Sequence, residues 1–406
     1  MLDIKFIREN AKLVEAKSAQ KGYSPNIKKL LTVDEVRRKI IEEVDKLRSD
    51  KKSAAEARDE KKGSTIKKDL KVRETELEKL NQEFQQLINE VPNLPKGDVP
   101  VGRDENENTI LRVVGDKTEF EFTPKDHVDL GVSLDLIDIE KASKVSGSRQ
   151  AYLKNELVQL EFALVNLALS TLSTEGFIPV IPPVLINADI VDGLGYPEYA
   201  TGEGYKVGNQ YLVGTAEHSI VPMHANDLIN AKNLPLRYVG FSTAFRKEAG
   251  SYGRDTKGIF RVHQFDKVEM VSYVMPEDED REHQFLLSLE ERLVHQLHLP
   301  YRVVSICTGD LGFPTARKFD IETWMPSQDK YRETHSVSTN SDFQSRRLNI
   351  KYQSSGKKDY VSILNGTAFA IGRTLIAIME NYQQKDGSIK VPNILQKYTG
   401  FKKIPA

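Results

Sequence analysis

The chain has 406 residues, of which 29% are charged, and its formal net charge at pH 7 is −1. This length allows two domains and a large core, and the balanced charge means that any basic surface for nucleic acid must be local. The single cysteine, Cys307, excludes an internal disulfide and a zinc site built from cysteines. We see no secretory pattern at the N-terminus and no apolar run near the roughly 20 residues that span a bilayer. We therefore expect a cytoplasmic protein that does not enter a membrane.

The N-terminal part of the chain has a helical pattern. Apolar residues spaced by three and four over Leu2–Gly22 predict a short amphipathic helix, with Asp3 as its N-cap. From about Ile27 to Val91 the apolar residues keep a heptad spacing, which predicts two long helices folded into an antiparallel coiled-coil hairpin. We expect Gly63 to lie at the tip of this hairpin. At 1.5 Å per residue, each helix would reach roughly 40–50 Å.

Basic residues are concentrated near the expected tip. Coiled coils rich in Lys and Glu are usually solvated at such positions, whereas an arm that contacts a phosphate backbone would explain a local excess of positive charge. The residues alone leave both interpretations open. The basic residues that we consider for nucleic-acid contact are Lys51, Lys52, Arg58, Lys61, Lys62, Lys67 and Lys68.

A stretch rich in Pro and Gly, residues 92–102, ends the hairpin and predicts a linker. We therefore place a first domain at residues 1–102 and a second at residues 103–406. In the second domain, apolar periodicity predicts a helix over Gln150–Thr174, followed by a Pro-bearing strand over Ile178–Leu185. A further strand, Tyr211–Val213, precedes Gly214-Thr215-Ala216-Glu217, in which a hydroxyl and a carboxylate suit a small polar ligand.

The stretch Phe241–Met270 has the strongest chemical pattern. Two β-prone runs, Tyr238–Phe245 and Ile259–Val271, flank a loop rich in Gly and charge, which predicts an antiparallel hairpin. Arg can bind phosphate oxygens, an aromatic ring can stack on a base, and Glu can bind an ammonium group. An amphipathic hairpin with solvated charges is the alternative. Period-2 alternation puts on one face of the second strand Arg261, His263, Phe265, Lys267 and Glu269.

Two stretches nearer the C-terminus carry further polar groups. Glu333 and Ser336 offer oxygen ligands that suit a hard cation such as Mg²⁺. The strand Leu364–Ala370 then runs into a helix whose first turn presents Arg373, and a helix start with Arg is a good anion site.

A pair of histidines, His295 and His298, shares a helix face at a spacing of three residues. No third ligand type lies nearby, so partly exposed helix histidines are a better interpretation than a metal site.

The order and spacing of these segments resemble those of the seryl-tRNA synthetases, a family of class II aminoacyl-tRNA synthetases. Arg246-x-Glu248 and Arg261-x-His-Gln-Phe-x-Lys-Val-Glu269 are similar to motif 2 of that family. The helix at 150–174 with its following strand resembles motif 1, the dimer element of class II, and residues 364–373 resemble motif 3. The basic hairpin resembles the arm that holds the long variable stem of tRNA(Ser). The chain departs from the family at Gly214, usually Pro, and at residues 334–335, commonly Ile or Leu followed by Ser.

The resemblance implies an α+β fold in which a mixed, largely antiparallel sheet is flanked by helices and preceded by the coiled-coil arm. It implies ATP-dependent activation of L-serine to seryl-adenylate and transfer to tRNA(Ser), with tRNA(Sec) as a second acceptor left open. It also implies Mg²⁺ and a homodimer. A non-catalytic tRNA-binding paralogue would lack Arg246, Arg373 or Glu333, and a ligase that charges a carrier protein would lack the basic arm.

The resemblance also implies a role for each site residue. Arg246 and Arg373 are the implied catalytic residues, and Glu333 and Ser336 the implied metal ligands. The implied ATP contacts are Arg246, Lys247, Glu248, Val262, Phe265, Glu333, Thr334, His335, Ser336 and Arg373. The implied serine contacts are Thr215, Ala216, Glu217, Arg246, Glu269, Asn365 and Thr367. Polar partners for the substrate hydroxyl should reject alanine without editing.

Overall fold

We analysed a computed structural model of the chain, which describes residues 1–197, 199–249, 255 and 257–406. The chain divides into two compact units, Met1–Leu94 and Pro95–Ala406. The expected functional division between residues 102 and 103 falls just inside the second unit, and it stays a prediction.

The described helices, in chain order, are α1 (Ile4–Glu9), α2 (Ala11–Gln20), α3 (Ile27–Glu56), α4 (Glu60–Asn89), α5 (His127–Ser133), α6 (Ile139–Ser146), α7 (Glu156–Thr174), α8 (Ala188–Leu194), α9 (Glu217–Ile220), α10 (Glu279–Gln296), α11 (Phe343–Leu348), α12 (Ile371–Tyr382) and α13 (Gln396–Thr399). The described strands are β1 (Thr109–Val114), β2 (Ile137–Asp138), β3 (Tyr152–Leu153), β4 (Ile178–Val180), β5 (Leu185–Asn187), β6 (Lys206–Val207), β7 (Gln210–Leu212), β8 (Leu228–Asn230), β9 (Leu236–Phe245), β10 (Gln264–Val274), β11 (Tyr301–Ser305), β12 (Arg317–Met325), β13 (Lys330–Thr339), β14 (Lys351–Ser354), β15 (Lys357–Tyr360), β16 (Ser362–Ala370), β17 (Ile389–Lys390) and β18 (Lys403–Ile404).

The first unit is built on the helical hairpin that the heptad spacing predicts. Helices α3 and α4 pack along each other, and Ile40, Val44 and Leu70 are buried between them. At its base, Phe84 joins a second apolar cluster with α1 and α2. The predicted N-cap of the first helix is confirmed, because the Asp3 carboxylate accepts a hydrogen bond from the backbone N–H of Lys5.

The tip of the hairpin lies at residues 57–59, so the prediction that Gly63 forms it was wrong. Gly63 lies in the first turn of α4. The chain reverses where Arg58 adopts a positive φ of 54°, and Asp59 caps α4 by accepting a hydrogen bond from Lys62 N at 3.0 Å. A glycine costs a helix about 1 kcal/mol, which a long packed helix tolerates, whereas an Asp cap is a strong start signal.

The second unit is organised around an eight-stranded sheet, in the order β1-β11-β12-β13-β16-β10-β9-β4. Only β4 and β9 pair in parallel; the other neighbours in this sheet are antiparallel. Helices α7, α10 and α12 bury their apolar sides against one face of it. On the opposite side, a smaller cluster includes α8, α9 and β7. The predicted mixed, largely antiparallel sheet flanked by helices is therefore confirmed.

Two predicted elements begin later than the sequence pattern suggested. Strand β10 starts at Gln264 rather than Ile259: the backbone N–H of His263 donates to Arg149 O instead of to the neighbouring strand, although its carbonyl still accepts from Arg246 N. Helix α7 starts at Glu156 rather than Gln150, because β3 pairs with β2. The predicted loop between the two long strands contains residues 250–254 and 256, so its conformation lies outside the described residues.

Helix α7 is long and apolar enough to cross a membrane by length and composition, so the expectation that no apolar run comes near this length was wrong. In the structure, 56% of its apolar window is buried inside the protein. Leu157, Leu160 and Leu164 of this helix lie in the main core, so its apolar character is accounted for by packing.

Candidate active site

A cavity of about 600 Å³ lies on the sheet face opposite α7, α10 and α12, along β10, β13 and β16. Alternation along β10 explains its position: Val268 and Met270 point into the core, whereas Phe265, Lys267 and Glu269 line the cavity. The predicted site residues in its lining are Thr215, Glu217, Arg246, Glu248, Val262, Phe265, Glu269, Glu333, Thr334, Ser336, Asn365, Thr367 and Arg373.

Three predicted site residues do not line this cavity with the others. The Lys247 ammonium lies 5.7 Å from the centre of the Tyr205 ring. Ala216 is fully buried. His335 is also buried, with its ring edge-on to Phe369 and its Nδ1 2.8 Å from the neighbouring threonine hydroxyl. The buried side chains of Ala216 and His335 support neighbouring elements, so substrate contact at these two positions would have to come from backbone atoms, whereas the Lys247 side chain is exposed.

Arg246 stands just after the end of β9, at the junction of several cavity walls. Its Nε donates a hydrogen bond to Gly214 O at 3.1 Å, and its guanidinium lies 5.5 Å from the centre of the Phe265 ring. Beside it, Glu248 Oε2 forms an ion pair with Arg261 Nη1 at 2.7 Å. A flat aromatic surface with a guanidinium group beside it suits a base and its phosphates.

The deep end of the cavity is acidic. Glu217 and Glu269 are both buried, with relative exposures of 4% and 1%. Tyr196 donates a hydrogen bond to Glu217 Oε1 at 2.8 Å, and Lys267 Nζ lies 2.6 Å from Glu269 Oε2. Burial raises the pKa of both carboxyl groups, and their mutual repulsion raises the pKa of Glu217 further. Two buried carboxyl groups beside one lysine suit a ligand that brings one more positive charge.

The other end of the cavity holds Glu333 among cations. Arg373 Nη1 donates to Glu333 O at 3.0 Å and lies 3.2 Å from its Oε2. Loss of water around Glu333 opposes ionisation, but Arg373 and Lys318 outweigh it and hold its pKa at about 2. Glu333 is therefore a carboxylate at any physiological pH.

Glu333 and Ser336 both face the cavity, and the Glu333 side chain is 42% exposed. Among the described residues there is no group of three or more His, Cys, Asp or Glu that could hold a metal ion. Mg²⁺ commonly takes one or two protein oxygens and completes its shell with substrate phosphates and water. The oxygen pair therefore fits Mg²⁺ bound together with a nucleotide.

Sequence reasoning missed several lining residues. The centre of the Phe260 ring lies 4.0 Å from the guanidinium of Arg332 and 4.7 Å from that of Arg373. Its place beside Arg261 in the motif 2 stretch was a usable signal. Tyr196 and Lys318 come from segments without a local pattern, so only the fold brings them to the cavity.

The C-terminal end of the motif 2 loop is anchored to the helix that carries Arg373. The backbone N–H of Ile259 donates to His127 Nε2 at 3.3 Å, so the other ring nitrogen carries the proton towards Glu380 on α12, also at 3.3 Å. Gly258 has a φ of +76°, and a Cβ built on it would lie 1.9 Å from His127 Nε2. Only glycine fits this close approach.

The basic residues at the hairpin tip form a separate surface on the first unit. All seven basic residues predicted to contact nucleic acid are exposed. Farther from the tip, arginines pair across the two helices instead, as Arg73 does with Glu43 at 2.9 Å. The distal turns therefore present positive charge to solvent.

Comparisons with known proteins agree with this division. Residues 1–95 match the family described as seryl-tRNA synthetase N-terminal domain. Residues 205–382 match the family described as tRNA synthetase class II core domain (G, H, P, S and T).

Similar proteins cover the whole chain. The serine--tRNA ligase of Dictyoglomus thermophilum is 44% identical and covers 100% of this chain and 99% of its own. The crystal structure of seryl-tRNA synthetase from Pyrococcus horikoshii complexed with ATP is 41% identical, with a TM-score of 0.94 and 100% of both chains covered. The cytoplasmic enzyme of Naegleria fowleri in complex with AMP is 31% identical, with a TM-score of 0.91 over 100% and 99% of the two chains. The predicted class II synthetase fold is confirmed, and the chain belongs to the seryl-tRNA synthetase family.

Proposed function

We propose that the cavity binds ATP and L-serine side by side, that it forms seryl-adenylate, and that the chain transfers the seryl group to tRNA(Ser). The position of Arg246 carries the proposal for the site. Arg246 lines the cavity between the strand end at Gly214, whose carbonyl accepts from its Nε at 3.1 Å, and the Phe265 ring at 5.5 Å, and its charge lowers the pKa of both Glu269 and Glu333. A cation between an amino-acid pocket and a metal-phosphate site stands where the two substrates must meet.

The chemistry asks for alignment rather than an enzyme nucleophile. A carboxylate oxygen of serine attacks the α-phosphorus of ATP, a new P–O bond forms, and the bond to pyrophosphate breaks. Arg246 would hold the α-phosphate and the attacking carboxylate, and Arg373 would neutralise charge on the nucleotide. Such positioning and electrostatic stabilisation are the main sources of rate in reactions of this kind.

The remaining roles follow from where the side chains lie. Phe265 would stack under adenine, with Glu248 at the adenine amino group and the backbone of Val262 along the nucleotide. Thr215, Glu217, Glu269 and Thr367 would form the serine pocket, with Asn365 close by. The similar structures with ATP and AMP support a nucleotide at this site.

Mg²⁺ would be held by Glu333 and Ser336 together with phosphate oxygens of the nucleotide. When bound, it would neutralise phosphate charge and orient the leaving group. The low pKa of Glu333 keeps that ligand ionised without the metal.

Three larger-scale expectations belong to the same proposal. The exposed basic tip would contact the tRNA backbone, with affinity that falls as salt is added. A homodimer would cover the exposed apolar residues in and beside the motif 1 segment, such as Phe162, Ile178 and Ile181, which are 52%, 49% and 88% exposed. The protein would work in the cytoplasm, and tRNA(Sec) would be tested as a second acceptor.

Serine-dependent exchange between ATP and labelled pyrophosphate, measured with and without tRNA(Ser), tests the proposal. We expect exchange that depends on serine in the absence of tRNA, and aminoacylation when tRNA(Ser) is added. A non-catalytic paralogue would show neither reaction, and a carrier-protein ligase would show exchange without charging tRNA.

A further inference from the structure

Lys267 is the cavity lysine that lies among the carboxyl groups of the serine pocket. Its relative exposure is 9%, and its Nζ lies 2.6 Å from Glu269 Oε2. It also lowers the pKa of Glu217, so its charge acts on both buried carboxyl groups. His218 in the same wall carries no balancing charge, because burial lowers its pKa to about 3.

The same ammonium group also donates to the Thr215 hydroxyl. Lys267 Nζ donates to Thr215 Oγ1 at 3.4 Å, and the backbone N–H of Glu217 donates to the same oxygen, also at 3.4 Å. A hydroxyl has two acceptor sites and one proton. With both acceptor sites used, the Thr215 hydroxyl has only its proton left to offer to a ligand. Thr215 lines the cavity.

We propose that Lys267 is a positioning and specificity-determining residue of the serine pocket, which keeps the Glu269 carboxylate ionised and turns the Thr215 hydroxyl into a hydrogen-bond donor towards the substrate. The inference rests on the proposed function of the cavity. An ionised Glu269 attracts the substrate ammonium, and a hydroxyl donor pairs with a substrate oxygen. An analogue without that oxygen leaves the donor unpaired, which a buried site penalises.

The charge balance of the pocket predicts a dependence on pH. Without Lys267, two buried carboxyl groups repel each other, so one of them takes up a proton at a higher pH than in the wild-type protein and loses its attraction for the ammonium. At higher pH both ionise again and attraction returns. The charged or titratable groups whose interaction with Glu269 bears on this balance are Lys267, Arg246, Glu217, Tyr196 and Glu290.

Lys267→Met tests the inference in the full-length protein, by calorimetric titration with serine and with ATP and by serine-dependent pyrophosphate exchange. Near pH 7 we expect serine affinity to fall by about 30-fold or more, as when one partner of a buried pair is removed, with ATP affinity nearly unchanged. The loss relative to wild type should shrink as pH rises above 7, with wild type titrated at each pH because α-amino groups such as that of the substrate themselves lose their proton at about pH 8. The ratio of the affinity for serine to the affinity for alanine should also become smaller.

Two further variants separate the effect of the position of Lys267 from the effect of the total charge of the cavity. Lys267→Arg keeps the cation and should recover most of the serine affinity. Lys318→Met removes another cavity lysine, one that lies 3.2 Å from Asp320 Oδ2 and lowers the pKa of Glu333. It should weaken ATP binding more than serine binding.

Specific results would overturn the inference. Unchanged serine affinity in Lys267→Met, a loss that is equal at all pH values, or equal loss for serine and ATP would each do so. Equal effects of Lys267→Met and Lys318→Met on serine would point to overall cavity charge instead. A wild-type protein without serine-dependent exchange would sink the proposed function itself, before any variant is compared.

Discussion

Replacing Arg246 with alanine tests the assignment of motif 2 most directly. The substitution removes a guanidinium that lies beside the Phe265 ring, within the electrostatic reach of Glu269 and Glu333. It also removes the hydrogen bond from Nε to Gly214 O, next to the serine-pocket residue Thr215. We therefore expect a large loss of rate and a smaller loss of serine affinity.

The size of the rate loss follows from the environment of the charge. Two unit charges about 4 Å apart at an effective dielectric constant of about 20 interact by about 4 kcal/mol. Arg246 is half-buried, so solvent screening reduces this value, and only the part realised in the transition state affects kcat. At about 1.4 kcal/mol per factor of ten, adenylation should fall by about 10²- to 10³-fold, in line with the loss of one stabilising donor elsewhere.

Pyrophosphate exchange at saturating ATP and serine measures this effect. Arg246→Lys is the matched control, because it keeps the charge and loses the planar fork, and it should fall between wild type and alanine. Near-normal exchange in the alanine variant would show that Arg246 does not contact the reacting phosphate. A lowered melting temperature that accompanies the loss of activity would point to a folding defect instead.

Three other variants extend the reasoning. Glu269→Gln should weaken serine binding about tenfold or more and spare ATP, and calorimetric titration that shows equal losses would contradict the pocket. Burial and Asp266 raise the pKa of Glu161 from 4.5 to about 8. Between these two values the folded chain keeps a proton that the unfolded chain releases, so the free energy of unfolding falls as pH rises through that range. Glu161→Gln should therefore raise the melting temperature more at pH 8 than at pH 5, and an equal change at both pH values would refute this. Replacing Lys46–Val72 by a short turn should spare pyrophosphate exchange, cripple tRNA charging and flatten its salt dependence, whereas full charging with an unchanged salt slope would show that the tip does not grip tRNA.

The parts of the site that could be predicted from sequence are those on one strand and its ends. Residues two apart on β10 share a face whatever the rest of the fold does, so Phe265, Lys267 and Glu269 could be grouped in advance. Arg373 could be placed because a strand running into a helix leaves little choice for the first helical turn.

Contacts between distant segments could not be predicted in this way. Nothing near Thr215 indicates that Lys267 donates to its hydroxyl, and nothing near Phe260 indicates two arginines from other elements beside its ring. The hairpin tip was misplaced for a different reason: propensity favoured Gly63 as a break, while packing along 30-residue helices overrode it.

The second long strand, β10, shows why the residues of a binding site can be predicted from a sequence. Its even-numbered residues Val268 and Met270 are fully buried in the core, so the fold itself holds the register. A slip of one residue would bury Lys267 and Glu269 under α10 and α12 and expose the core residues to the cavity. The apolar residues that alternate with the substrate-facing charges therefore fix the position of those charges. A shift in register would remove the binding face and bury charged groups in the core at the same time.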